Sequence, residues 1–152
     1  MIRQTLFETI NMIDVAVKRL KEFEPEEGYY LAFSGGKDSC VIRALADMAG
    51  VKYDAHYNMT TIDPPELVQF IREFHPDVQI HKPERSFFQE MQKRGFPTRR
   101  SRWCCEVLKE HGGEHRFVIT GVRWAESQKR AGRRLLETCY KDSLKHYLNV
   151  IS

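Results

Sequence analysis

The 152-residue chain lacks a long apolar run and contains only four cysteines. Both features restrict the class of protein to which it can belong. No stretch approaches the roughly 20 apolar residues of a membrane-spanning helix, so we expect no membrane partner. The N-terminal segment carries Glu8 and Asp14 within its apolar pattern, which is not typical of a secretory signal. Four cysteines without an export signal predict a cytoplasmic protein whose thiols are free or bind metal.

Several familiar motifs are also missing. The chain has no Gly-x-Gly-x-x-Gly fingerprint, and Leu31 stands where the first glycine of a Walker A loop would fall. No Ser–His–Asp or paired-carboxylate pattern stands out. No repeat, low-complexity segment or linker marks a second domain, so we expect residues 1–152 to form one domain.

The most informative segment is Ser-Gly-Gly-Lys-Asp-Ser at residues 34–39. An apolar stretch of strand length precedes it, and apolar residues at helical spacing follow as far as Gly50. Paired glycines let backbone N–H groups approach a ligand, and the helix N-terminus and Lys37 add positive charge. The segment therefore predicts phosphate binding by Ser34, Gly35, Gly36, Lys37, Asp38 and Ser39, in preference to a plain hairpin turn.

The net charge of +3 conceals a basic segment. Residues 92–134 hold twelve Lys or Arg and four Glu, a local net charge of +8. Beside a phosphate loop, this excess favours an anionic ligand over a solvated basic surface. The aromatic residues of the segment show no stacking pattern, so nucleic acid is not the expected partner. Nucleic acid stays open as an alternative partner, and salt would weaken its binding steeply.

Strand and helix patterns alternate along the chain. Apolar spacing predicts an N-terminal helix over residues 2–23, within a segment 1–24 that Pro25 ends. The predicted strands lie at 29–33, 51–58, 78–81, 117–121 and 147–151, and further helices at 38–48, 63–74 (with Asp63 as N-cap), 86–94 and 103–110. This order predicts an α/β fold with a doubly wound, mostly parallel sheet of about five strands. The segments that follow the parallel strands should meet at one edge.

Three segments, in order, resemble one family over about residues 28–151. Residues 34–39 resemble the PP-loop of the adenine nucleotide alpha-hydrolase-like superfamily, which includes N-type ATP pyrophosphatases and sulfonucleotide reductases. Residues 99–109 (Arg-Arg-Ser-Arg-Trp-Cys-Cys-Glu-Val-Leu-Lys) and 120–130 (Thr-Gly-Val-Arg-Trp-Ala-Glu-Ser-Gln-Lys-Arg) resemble two stretches of the reductases. The chain thus resembles the phosphoadenosine and adenosine phosphosulfate reductase family.

The resemblance implies an adenine nucleotide as ligand. Gly121 would turn the chain off a strand, and Arg123 and Arg130 would hold phosphate or sulfate, for which planar guanidinium groups are suited. Thr60 would contact the nucleotide from a turn that lacks the family's usual glycine, although turn chemistry explains that segment equally well. Further candidates for sulfate or phosphate binding are Arg99, Arg100, Arg102 and Lys109.

Cys104 and Cys105 match the first cysteine pair that holds an iron–sulfur cluster in the adenosine phosphosulfate branch. Nothing in the sequence matches the second pair, so a half-site and two free thiols stay open. A zinc site with His111 and His115 lacks the usual spacing. The resemblance also implies a thioredoxin-like reductant as partner, and an oligomer stays open. We find no match to the family's C-terminal tail, which bears the nucleophilic cysteine, and therefore assign no catalytic residue.

The leading expectation is a reductase-like protein of sulfur metabolism that binds an adenine nucleotide. One alternative is a magnesium-dependent ATP pyrophosphatase that forms AMP in a sulfur-transfer or thiolation system. Another is a non-catalytic, truncated relative. Asp38 would coordinate Mg²⁺ if ATP is the ligand, and otherwise cap the helix. His81, at a predicted strand end, is the one histidine near the expected site.

Overall fold

The computed structural model describes residues 2–4, 9–123, 128 and 132–151. A parallel sheet with helices on both faces dominates these residues. The elements in chain order are β1 (Ile2–Gln4), β2 (Thr9–Asn11), α1 (Met12–Glu22), β3 (Tyr29–Ala32), α2 (Lys37–Ala49), β4 (Tyr53–Asn58), α3 (Pro65–Phe74), β5 (Gln79–His81), α4 (Phe87–Arg94), α5 (Trp103–Leu108), β6 (Phe117–Thr120), β7 (Leu136–Thr138) and β8 (His146–Asn149).

The main sheet has the strand order β5-β4-β3-β6-β8-β7, counted over the described residues. All neighbouring strands pair in parallel except β7, which pairs antiparallel with β8. The chain moves outward from β3 to β5 and then returns to β6 on the other side of β3, which is the doubly wound arrangement. The predicted fold class is confirmed, with β7 added as an edge strand that the sequence pattern did not show.

One face of the sheet carries the apolar core. Leu31 of β3, Ile119 of β6 and Leu148 of β8 are fully buried there, together with Leu20 of α1 and Ile42 of α2. Alternation along each strand points every second side chain to this face. Truncation of such a buried leucine or isoleucine to alanine costs about 2–5 kcal/mol, so this layer supplies much of the fold's stability.

The opposite face of the same strands is polar. The β3–β4 register pairs Tyr30 with Asp54 and Ala32 with His56, so these side chains share that face with Asn58. Residues 109–113 cover part of it, because the Asn58 side-chain amide donates to the carbonyls of Lys109 at 3.0 Å and His111 at 2.7 Å. The segment after α5 is therefore anchored to this polar face.

The N-terminal helix predicted over residues 2–23 is wrong in its first half. Ile2–Gln4 pairs antiparallel with Thr9–Asn11, and the helix begins only at Met12. The Asn11 side chain accepts a hydrogen bond from the backbone N–H of Ile13 at 3.2 Å, which caps the helix at this point. A three-residue strand is too short for its periodicity to be distinguished from that of a helix. Leu6, the first residue of the predicted apolar stripe, lies outside the described residues.

The other predicted elements agree with the structure to within a few residues, with one incorrect cap. The predicted helix over residues 86–94 is α4, and Ser86 caps it, since its hydroxyl accepts from the N–H of Gln89 at 3.3 Å in a capping box. Asp63 does not cap α3, whose N-cap position is Pro64. The Asp63 carboxylate instead accepts from the Thr60 N–H at 2.5 Å, inside the preceding turn. In the described part of the chain, every helix is too short or too polar to cross a membrane.

Candidate functional site

The predicted phosphate loop lies at the carboxyl end of β3, directly before α2. Gly35 has φ +70°, and an added Cβ would lie 2.5 Å from Cδ1 of Leu67 and 3.2 Å from Cδ1 of Ile71. Both the dihedral and the packing therefore require glycine. Gly36 is the N-cap of α2 and supplies no side-chain cap. The N–H groups of the first helical turn consequently face the loop, which is the arrangement that binds anions.

Two serines close this loop on itself. The hydroxyls of Ser34 and Ser39 lie 3.2 Å apart, and Ser39 donates to the carbonyl of Gly36 at 2.8 Å. Ser39 is buried, whereas Ser34 and Lys37 are exposed. Side-chain contacts thus fix the backbone of the loop, while the lysine extends into solvent, where it can reach a ligand.

The segment after β6 packs directly on this loop. An added Cβ at Gly121 would lie 3.2 Å from the carbonyl carbon of Asp38, so glycine allows a close approach of the two backbones. Arg123 Nε lies 3.2 Å from Asp38 Oδ2. The structure therefore brings Gly121 and Arg123 to residues 34–39, as the sequence predicted. Asp38 stands in the first turn of α2, where a carboxylate is favoured. A magnesium ion on Asp38 would share this carboxylate with the Arg123 guanidinium.

The turn after β4 reaches the same edge of the sheet. Thr60 is buried, and its N–H donates to Asp63. Thr61 has φ +66°, a conformation that a β-branched residue rarely adopts, and its hydroxyl accepts from the N–H of Phe87 at 2.8 Å. The positive φ explains why related turns use glycine here. Turn chemistry accounts for these contacts, and a nucleotide contact by Thr60 stays a prediction.

A chain of polar contacts crosses the polar face of the sheet. Arg116 binds Asp54 in a bidentate manner, with Nη1 2.7 Å from Oδ2 and Nη2 2.5 Å from Oδ1. The Asp54 Oδ2 that accepts from Arg116 also contacts His56 Nε2, and His56 Nδ1 lies 2.8 Å from His81 Nε2. The ring of Tyr30 stacks on His56 with centroids 4.0 Å apart.

This arrangement lowers the pKa values of Asp54 and His81. Burial opposes ionisation of Asp54, but the hydrogen bonds from Arg116 and His56 outweigh it and lower the pKa of the carboxyl. The anionic Asp54 accepts a hydrogen bond from His56 Nε2, which turns Nδ1 of the same ring toward Nε2 of His81. Burial and the neighbouring His56 and His111 lower the pKa of His81, which favours its neutral form.

The sequence pattern singled out His81 but missed its three partners. His56 and Asp54 occupy alternate positions of one strand, which is the only local signal. Arg116 comes from a distant segment. We call the chain of contacts from Arg116 through Asp54 and His56 to His81 the relay. His81 lies at the end of β5, on the same edge as the phosphate loop, so the relay ends near the candidate site.

Comparison with known proteins decides the family. The model for the phosphoadenosine phosphosulfate reductase domain matches residues 28–147, which is most of the chain. The chain belongs to this family. Its members are PP-loop proteins that bind an adenine nucleotide substrate. Residues 34–39, which resemble the PP-loop of this family, lie inside the matched range, and we call them the PP-loop.

One relative has a very different length. An uncharacterised protein of Methanocaldococcus jannaschii is 27% identical over 123 residues, which cover 73% of this chain and 30% of that protein. The reductase domain described here thus spans less than a third of the relative's length. The similarity supports the domain and leaves the activity of any longer protein a matter for experiment.

The remaining basic candidates of the reductase domain are exposed. Arg99 and Arg100 lie in the loop between α4 and α5, and Lys109 follows α5. Arg102 donates to Cys105 Sγ at 3.1 Å. Among the described residues, no hydrogen bond or ion pair joins these four side chains to the PP-loop, and their role in sulfate binding stays a prediction. Arg130 lies outside the described residues.

The cysteines of the reductase domain do not assemble a cluster site. Cys104 and Cys105 lie half-buried on α5, and neither forms a disulfide. Over the described ranges, no three His, Cys, Asp or Glu side chains converge to hold a metal ion. The structure therefore adds no third ligand to the predicted half-site. Since four thiolates normally hold an iron–sulfur cluster, the residues present do not fit one, and no chemical step is derived through it.

Proposed function

We propose that this domain binds an adenine nucleotide that carries a phosphate or sulfate group, in a sulfonucleotide reductase-like role in sulfur metabolism. One observation carries the proposal. The PP-loop at the N-terminus of α2 is joined to the segment after β6 by the contact between Asp38 and Arg123 at 3.2 Å. Two separate sources of positive charge therefore face one edge of the sheet.

The physical argument begins with the backbone. The N-terminus of an α-helix carries about half a positive charge and several N–H groups without partners, which suits a tetrahedral oxyanion. Lys37 adds a full charge directly beside these groups. Arg123 adds a planar guanidinium, which binds two oxygens of one phosphate or sulfate. A neutral ligand would not use this set of groups.

The reaction class follows from the family and not from a residue identified here. In such a role the sulfate group would be reduced, with a thioredoxin-like protein as electron donor and with a cysteine nucleophile that we do not assign to this chain. We expect a cytoplasmic, reducing setting, in which thiols stay reduced. The four cysteines, all among the described residues, are free thiols, which suits such a setting.

Calorimetric titration with AMP, ATP, adenosine phosphosulfate and phosphoadenosine phosphosulfate, each with and without Mg²⁺, tests the proposal. We expect a sulfonucleotide to bind at least tenfold more tightly than ATP, with no dependence on Mg²⁺. Lys37→Ala should weaken that binding at least tenfold. Lys52→Ala is the matched control, because Lys52 is an exposed lysine at the amino end of β4, away from the loop.

A parallel assay with ATP, Mg²⁺ and a pyrophosphate-sensitive dye separates the alternative activity. The proposal predicts no release of pyrophosphate above the level of the Lys37→Ala variant. Magnesium-dependent release that this variant lacks would contradict the reductase-like role and would instead indicate an ATP pyrophosphatase.

A further inference from the structure

A cavity lies beyond the end of β5 and is separate from the PP-loop. Its volume is about 470 Å³, and it opens between the segment after β5, α4 and α5. Four cationic side chains line it: Lys82, Arg85, Lys93 and Arg94. Two carboxylates, Glu84 and Glu90, oppose them, so the wall carries a net positive charge before any protonation of His111, which also lines it.

Glu90 organises the cationic side chains of this cavity. Its side chain is only 8% exposed, and its carboxylate accepts from Arg94 Nε at 2.7 Å and lies 3.8 Å from Arg85 Nη1. Arg94 uses Nε for this contact, so its two terminal NH₂ groups do not take part in it. A nearly buried carboxylate between two arginines holds both in place and cancels only part of their charge.

The two lysines of the wall have a different role. Among the described residues, neither the Lys82 nor the Lys93 side chain makes a hydrogen bond or an ion pair. Glu84 and Glu90 offset only part of the repulsion among the four cations of the wall, and a bound anion would reduce it further. Guanidinium and ammonium groups together are the usual donors for phosphate and sulfate oxygens.

The position of the cavity relates it to the nucleotide site. Lys82 follows His81 directly, and β5 is two strands away from β3 in the sheet. Neighbouring strands lie about 4.8 Å apart, so the two strand ends are separated by roughly 10 Å. The cavity therefore faces the same edge as the PP-loop but does not overlap it.

We propose that this cavity is a second oxyanion site, which takes a phosphate or sulfate group. The group is either free or the far end of a ligand held at the PP-loop. This site does not depend on the function proposed for the loop, since none of its lining residues belongs to residues 34–39 or 121–123.

Titration of the ¹⁵N-labelled protein with pyrophosphate at constant ionic strength tests the site residue by residue. We expect saturable shifts of the amide signals of residues 82–94. The double variant Lys82→Ala, Lys93→Ala should raise the dissociation constant at least tenfold, and its spectrum reports whether the fold is kept. The matched control removes two exposed lysines of α1, Lys18→Ala and Lys21→Ala, and should bind as the wild type does.

Lys37→Ala separates this site from the PP-loop. It should abolish the shifts of residues 34–39 and leave pyrophosphate binding at residues 82–94 unchanged. Adenosine 3′,5′-bisphosphate distinguishes the two sources of the anion. If one ligand spans both sites, both sets of signals shift with one dissociation constant, and Lys37→Ala weakens both. If the site takes a separate anion, the two sets of signals shift with different dissociation constants, and Lys37→Ala leaves the shifts of residues 82–94 unchanged. Absence of saturable shifts there, or shifts that the double variant leaves intact, would overturn the proposal.

Discussion

Arg123 Nε lies 3.2 Å from Asp38 Oδ2, and this contact joins the segment after β6 to the first turn of α2. Side-chain exposures of 40% and 28% make the pair a half-exposed one. Such a pair adds at most about 1 kcal/mol to stability, so we expect its main effect on the position of Arg123.

A double-mutant cycle in nucleotide binding tests this positioning role. Arg123→Ala should weaken nucleotide binding at least tenfold, because a guanidinium contact to the anionic group is lost. Asp38→Ala should weaken binding in the wild type but not in the Arg123→Ala background, since its effect passes through Arg123. Calorimetry measures all four affinities. Additive losses would show that Asp38 acts on the ligand by another route.

Gly35 and Gly50 form a matched pair for the packing of the PP-loop. Both have positive φ, +70° and +68°, but an added Cβ meets Leu67 and Ile71 at Gly35 and nothing at Gly50. Gly50→Ala should cost about 1–2 kcal/mol for the left-handed conformation. Gly35→Ala should cost about 1–3 kcal/mol more, because it also overpacks the site. Urea unfolding gives both values, and equal losses would contradict the packing argument.

Asp54 and Asp77 allow the partly buried relay to be compared with a surface ion pair. Each accepts two hydrogen bonds from one arginine, Arg116 and Arg43 respectively, but their side chains are 32% and 56% exposed. Asp54→Asn should cost about 2–3 kcal/mol, because it leaves Arg116 and His56 without their partner. Asp77→Asn should cost less than about 1 kcal/mol. Similar losses in denaturant titrations would show that the relay is not a structural unit.

The relay also predicts a pH dependence of stability. The folded protein lowers the pKa of His81 below its ordinary value of 6.5, so the unfolded chain binds a proton more readily in that range. Stability should therefore fall as the pH decreases from about 6.5 toward the lower folded pKa. Burial and the neighbouring Arg43 also lower the pKa of His75, so the pH dependence of wild-type stability contains contributions from both histidines.

Comparison of variants isolates the contribution of His81. His81→Asn should flatten the decrease of the free energy of unfolding between pH 6.5 and pH 5, and His75→Asn should leave the His81 component in place. Chemical denaturation at several pH values measures the slopes. A His81→Asn protein with the wild-type slope would contradict a lowered pKa of His81 in the folded protein.

Local signals account for what the sequence predicted well. The PP-loop occupies six consecutive residues, and the Gly121–Arg123 segment follows a strongly apolar strand, so each was visible without tertiary information. Their contact followed from the rule that loops after parallel strands share one edge. The helix over residues 2–23 failed because short strands carry little periodic signal.

Tertiary contacts account for what the sequence could not show. The relay joins Arg116, Asp54, His56 and His81, which come from two strands and a loop, and no spacing in the sequence relates Arg116 to Asp54. The oxyanion cavity likewise combines the segment after β5 with α4 and α5. The basic segment at residues 92–134 indicated an anion, but only Lys93, Arg94 and the neighbouring helices show where one would fit.

Thermal unfolding with adenine nucleotides tests the central claim most directly. At about 100 times its dissociation constant, a nucleotide should add about 2.7 kcal/mol to stability and raise the melting temperature. The account predicts this shift for at least one of AMP, ATP, adenosine phosphosulfate and phosphoadenosine phosphosulfate, its loss in Lys37→Ala, and its retention in Lys52→Ala. If none of the four nucleotides raises the melting temperature of the wild-type protein, residues 34–39 do not hold an adenine nucleotide.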